Sequence, residues 1–247
     1  MVAQISGAGL AKWRVMAMAT VAAVALAACE TTTTTAPPRT TPQAKAPKIT
    51  VKQAEARLAP IIATMEPVAE RECRRRAARG TDCDYKISVD PRTDIPPNAY
   101  QTVDKNGRPL IIFTAPLIAE TRNQHELAFV MGHEAAHHIA GHLTRQQADA
   151  LTGAALGAIL IGLAGGSASS IDAAANLGAS VGSRSFSKEY ELEADSLGTV
   201  LTKQAGYDPL IGVGFFERTP DPGNVFLGTH PPNASRIEIV KRTAAGL

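Results

Sequence analysis

His133-Glu134-Ala135-Ala136-His137 sets two imidazoles four residues apart, with a carboxylate beside the first. On a helix the two rings lie about 40° apart on one face, one turn from each other. That spacing lets one nitrogen of each reach a single zinc ion at roughly 2.0–2.1 Å. Glu134 stands at the rim of such a site, where it can take the proton of an activated water. The chemistry predicted is metal-assisted hydrolysis, with His133 and His137 as ligands and Glu134 as the base. A catalytic zinc takes three protein ligands, so one is still missing.

The same segment does not supply it. A third His ten residues after the first, with Gly at the seventh, would close the site locally. Here Gly141 and His142 fall eight and nine residues after His133. Taken as continuing helix, His142 lies about 140° round from His137 and is expected to pack, not to ligate. His138 and His125 are read the same way. The acidic run Glu189, Glu191, Glu193 and Asp195 is the best donor. Helical spacing gives two face-sharing pairs, Glu191 with Asp195 and Glu189 with Glu193, and does not choose between them.

These side chains need elements to hold them. Asn123 to Glu126 reads as a helix start, with Asn123 as N-cap and Glu126 at the third position. Phe129-Val130-Met131 and Ile139 give that helix a buried side, and Gly141 is its stop signal. Upstream, Tyr85–Val89, Asn98–Val103 and Leu110–Thr114 are strand candidates, with strong turn chemistry from Asp104 to Pro109. A small antiparallel sheet is therefore expected on the active-site helix, and a sheet edge can pair with an extended peptide. Thr50–Arg79 is helical in composition, with Pro60 and Pro67 expected to kink or divide it. Its cluster Arg71, Arg74, Arg75, Arg76 and Arg79 reads as a solvated face.

Leu151–Ala164 is apolar apart from Thr152 and three glycines. A tightly packed buried helix is expected, its small residues permitting close approach; the alternative is a dip into a membrane. Ser187–Ala205 reads as a second long helix, with Ser187 as N-cap, and Leu210–Phe216 as a short one. A Pro/Gly-rich loop from Pro220 to Pro232 holds His230, and Asn233–Thr243 is the terminal helix. The fold class expected is α+β, predominantly helical.

Residues 1–28 read as a signal peptide: Lys12 and Arg14 precede a short apolar run ending in Leu26-Ala27-Ala28-Cys29. This resembles a bacterial lipobox, which makes Cys29 the expected lipidation site and anchors the mature chain to membrane through acyl chains. Glu30 after the Cys, by resemblance to sorted lipoproteins, favours the outer membrane, facing the periplasm. Residues 29–48, with Thr31–Thr35 and four prolines, form a solvated linker, and 49–247 is the folded domain. Losing 1–28 takes Lys12 and Arg14 from the 25 basic residues and none of the 23 acidic ones, so the mature charge balances. No nucleic-acid partner is expected. Cys73 and Cys83, ten residues apart in an extracytoplasmic chain, are expected to form a disulfide.

His133-Glu134-Ala135-Ala136-His137 followed by Glu191-Leu192-Glu193-Ala194-Asp195 resembles the M48 family of zinc metallopeptidases. Asn98-Ala99-Tyr100, Ala205-Gly206-Tyr207-Asp208-Pro209, and Thr229-His230-Pro231-Pro232 with Arg236 agree, so the resemblance runs from about Tyr85 to the C-terminus. It implies a zincin-like domain with one Zn2+. It also implies Glu191 as third ligand, Asp195 as the carboxylate that orients a ligating His, and Glu193 pointing away. His230 is implied near the metal, either helping catalysis by stabilising the oxyanion or capping the metal in a resting state. Residues 49–80 fall outside these motifs.

The leading expectation is a zinc endopeptidase acting on unfolded or misfolded proteins at the cell envelope. The alternative is a lipid-anchored, chaperone-like assembly or quality-control factor for outer-membrane proteins, working with their assembly machinery and keeping its protease latent. A purely structural zinc domain fits poorly, because such sites are usually Cys-rich and closed.

Overall fold

Thr50 starts the first helix, α1 (Val51–Arg76), through a reciprocal cap. Its hydroxyl accepts from the Gln53 N–H at 3.2 Å, and the Gln53 side chain accepts from the Thr50 N–H at 2.8 Å. Ala54, Leu58, Ile61, Met65, Val68 and Cys73 recur at helical spacing and are all buried. Pro60 and Pro67 do not divide α1, contrary to expectation. Both lie on its exposed side, where the carbonyls of Ala56 and Ala63, deprived of their intrahelical donors, remain in reach of water. The basic cluster is largely paired: Arg74 with Glu70, and Arg75 and Arg76 with the buried Glu72.

The computed structural model describes residues 48–182, 188–221 and 232–247, which belong to one compact unit. The expected signal peptide, Cys29, most of the linker, Ser187 and His230 lie outside the described residues.

After α1, a disulfide joins Cys73 to Cys83 and ties the helix end to the approach of the sheet. Strands β1 (Lys86–Asp90), β2 (Ala99–Val103) and β3 (Pro109–Thr114) lie in the order β1-β3-β2. The hairpin β2–β3 is antiparallel, with Gln101 opposite Ile111. Asp104 holds its turn by accepting from the N–H groups of Asn106 (2.7 Å) and Arg108 (3.0 Å), and Gly107 takes a φ of 87°. The sheet is mixed, which corrects the antiparallel expectation: β1 pairs with β3 in parallel, Ile87 beside Ile111. The loop 91–98, with three prolines, carries the chain from β1 to the far edge, and β3 returns between them. Strand alternation in a sequence reports the buried face but not the neighbour.

Helix α2 (Ala115–Glu120) leads into α3 (Gln124–Ile139), whose N-cap Asn123 accepts from the Glu126 N–H at 2.9 Å. From Glu126 to Ile139 only His138 is not buried, because α1, the sheet and later helices all pack on α3. Next come α4 (His142–Leu163), α5 (Ala168–Gly182) and α6 (Lys188–Gln204). Then follow α7 (Pro209–Gly212), a 3-10 turn (Val213–Phe215) and α8 (Asn233–Ala245). Helices α4 and α5 pack on each other, with Gly153, Gly157, Ala174 and Gly178 at the crossing. The close approach is as expected; the burial is not. Beyond His142 no described residue of α4 is buried, and Leu151, Leu156, Leu160 and Leu163 are exposed. No helix among the described residues is long and apolar enough to cross a membrane.

Candidate metal centre

Helices α3 and α6 cross at two glycines, and this contact builds the site. A Cβ on Gly198 would stand 2.9 Å from the His133 nitrogen and 3.0 Å from its Cα. A Cβ on Gly132 would stand 2.9 Å from the Gly198 carbonyl oxygen. Only hydrogen at both positions lets the backbones approach, and the approach brings the acids of α6 to the imidazoles of α3.

His133, His137 and Glu191 are buried, and one ligand atom from each lies within 4.8 Å of the other two. The two imidazole Nε2 atoms are 3.0 Å apart. Glu191 places Oε1 3.4 Å from His137 Nε2 and Oε2 3.7 Å from His133 Nε2. Ligands bound tetrahedrally at about 2.0–2.2 Å stand roughly 3.3–3.5 Å from each other. The three observed separations bracket that value, so the donor set fits a zinc ion. Two Nε2 atoms turned toward each other and toward a carboxylate are also the expected arrangement of lone pairs around a shared cation. Of the two acid pairs that helical spacing left open, the fold brings in Glu191 and Asp195.

Asp195 is fully buried and meets the other nitrogen of His133, Nδ1, at 2.9 Å. This leaves His133 Nε2 for the metal and fixes the tautomer. Burial alone would depress the His133 imidazole; Asp195 overrides burial and raises it. Arg236 of α8 grips Asp195 with two bonds of 2.7 Å, from Nε to Oδ2 and from Nη2 to Oδ1. Its guanidinium lies 3.7 Å from the centre of the Phe216 ring. Burial pushes the Asp195 carboxyl up, but Arg236 and His133 prevail and hold it below its ordinary value. Arg236 was part of a motif in the sequence; that it anchors Asp195 is new.

Glu134 is buried beside the ligands, and burial pushes its carboxyl up to about 7. His133 opposes that rise, Glu191 adds to it, and Arg236 and the main chain of Gln101 on β2 oppose it. The edge strand β2 therefore borders the base.

The remaining histidines divide. His138 bonds the Asp82 carbonyl at 2.7 Å and packs edge-on to Tyr85. His125 accepts from the Asp208 N–H at 2.9 Å, at the start of α7. Both do the packing work expected of them. His142 does more: it is fully buried, with its Nδ1 2.8 Å from Nδ1 of His137. The 140° estimate fails because α3 ends at Ile139 and Gly141, at φ 68°, swings the chain before α4 begins. The signal was the stop glycine itself. Glu193 points away from the ligand atoms, as expected, and bonds His142 Nε2 at 3.2 Å and Arg145 at 2.7 Å.

Comparison with known proteins agrees with this site. The family model described as "Peptidase family M48" matches residues 58–244, so the likeness begins inside α1, upstream of the motifs. The mitochondrial metalloendopeptidase OMA1 of Arabidopsis thaliana is 29% identical over 135 residues. That stretch is 53% of this chain and 27% of the relative, so the chain matches little more than a quarter of that protein's length.

Proposed function

Since this chain belongs to peptidase family M48, we propose that it is a zinc-dependent endopeptidase that cuts unfolded or misfolded proteins at the cell envelope. The observation that carries the hydrolase reading is the mutual spacing of the three ligand atoms, with a buried carboxylate, Glu134, beside them. When bound there, zinc supplies a Lewis acid and activates water near neutral pH.

The chain's own groups do the rest. Glu134 accepts a proton from the attacking water and returns it to the leaving amine. Asp195 and Arg236 hold His133 in one tautomer and one orientation. Strand β2 is an edge strand next to α3, and such an edge suits an extended peptide of the kind an unfolded chain readily offers. The envelope setting draws on the signal sequence and Cys29, on the Cys73–Cys83 disulfide, which suits an oxidising compartment, and on the exposed apolar side chains of α4, which suit a lipid surface.

The test is zinc content of the purified protein together with cleavage of a disordered substrate, with and without a chelator. Glu134→Gln should keep stoichiometric zinc and lose cleavage. A variant that cuts as fast as the parent, or a parent without zinc, sinks the reading. His230→Ala separates the two roles left to that residue: lower activity means catalysis, higher activity means a latent protease.

A further inference from the structure

His133 and His137 are not supported alike. His133 has a carboxylate directly on its outer nitrogen; the outer nitrogen of His137 faces a second imidazole. We propose that His142 is the positioning residue for His137, relaying the carboxylate of Glu193 to a metal ligand through an imidazole–imidazole hydrogen bond. This rests on the zinc reading above and adds a residue to it.

Proton accounting fixes the chain. His137 turns Nε2 toward His133 Nε2 (3.0 Å) and Glu191 (3.4 Å), so that nitrogen must offer a lone pair to a cation. A neutral ring then carries its proton on Nδ1. The facing atom, His142 Nδ1, is 2.8 Å away and has to accept. His142 therefore carries its own proton on Nε2, which faces Glu193 Oε2 at 3.2 Å. The carboxylate end is held in turn. Arg145 donates to the same Glu193 oxygen at 2.7 Å. The Tyr190 ring stacks on His142 with centroids 4.8 Å apart and planes 11° from parallel, and Arg145 covers Tyr190. His142 is 0% exposed, so no water competes for its acceptor nitrogen. Helix α4 thus has a buried polar foot in the metal centre while the rest of it lies outside.

Removing such an outer partner costs about 10–100-fold in metal affinity. His142→Phe keeps a ring to stack on Tyr190 but no acceptor; it should weaken zinc binding by about that factor, measured by competition with a chromophoric chelator. His142→Asn restores a carbonyl acceptor near the Nδ1 position and should recover most of the loss, which a purely space-filling role would not predict. In the zinc-loaded wild-type protein, imidazole 15N spectra should show His137 protonated on Nδ1 and His142 on Nε2. A folded His142→Phe protein with the parent's zinc affinity overturns the proposal. So does a wild-type spectrum with the His142 proton on Nδ1, which decides the matter even where the variants fail to fold. If wild type binds zinc and Glu134→Gln is inactive, either result leaves the peptidase reading standing; a wild type that binds no zinc removes both.

Discussion

At the scale of single residues, the least expected group is a buried arginine. Arg236 is 6% exposed, and its two bonds to Asp195 neutralise a carboxylate that is itself fully buried. Replacing Arg236 with Met leaves that charge stranded, a change that costs about 3–5 kcal/mol in comparable buried pairs. Urea unfolding of Arg236→Met should show a loss of this size, with zinc affinity falling as His133 loses its anchored partner. Asp195→Asn should weaken zinc binding as well and also unfold at lower urea than wild type, because it leaves the buried Arg236 guanidinium without its carboxylate. The ligating pair and the base were legible in the sequence because positions four apart share a helix face wherever the helix goes. Glu191 was not legible from periodicity, since Glu189 and Glu193 obey the same spacing. It took a second motif at a distance, and then the crossing of α3 and α6, to select it.

At the scale of elements, that crossing is made by hydrogen atoms. A methyl group on Gly198 would meet the backbone of Gly132 and His133 at 2.9–3.1 Å, with no flexible side chain to yield. Gly198→Ala should therefore push the helices apart, lowering stability by about 1–3 kcal/mol and widening the gap between Glu191 and the imidazoles. Thermal melts and zinc titration should both register it. The exit of β1 allows a pH test. Asp90 accepts three bonds from Arg92, at 2.6, 2.9 and 3.0 Å, and these pull its carboxyl down to about 2. Its ordinary pKa is about 3.9, so its contribution is complete above that value and vanishes as pH falls through about 2. Asp90→Asn should melt below wild type at pH 6, with a gap that narrows below pH 4 and closes near pH 2. Strand positions were readable from alternation and turn chemistry. The parallel pairing of β1 was not, because which strand fills the middle of a sheet depends on the path of the loop 91–98.

At the scale of the whole molecule, glycine pairing occurs twice with opposite consequences. Around α3 it closes a core on every side, and thirteen of its sixteen residues are buried. Between α4 and α5 it closes only a two-helix hairpin. A fourteen-residue run, apolar apart from Thr152 and three glycines, looked like buried helix because burial is the usual fate of such a run; nothing local reveals that the partner helix covers one side only. The hairpin reaches outward for about 33 Å, from 22 residues at 1.5 Å each. Gly157 meets the main chain of Ala174, so a leucine there cannot be housed without parting the helices. Gly157→Leu should make the segment 151–179 sensitive to limited proteolysis while leaving the zinc affinity within about twofold of wild type. The contrast with Gly198→Ala is the measurement: one glycine governs the appendage, the other the centre. Should Gly157→Leu abolish zinc binding, the hairpin would have to be part of what holds His142, Glu193 and His137 in register, and its separation from the core would be wrong.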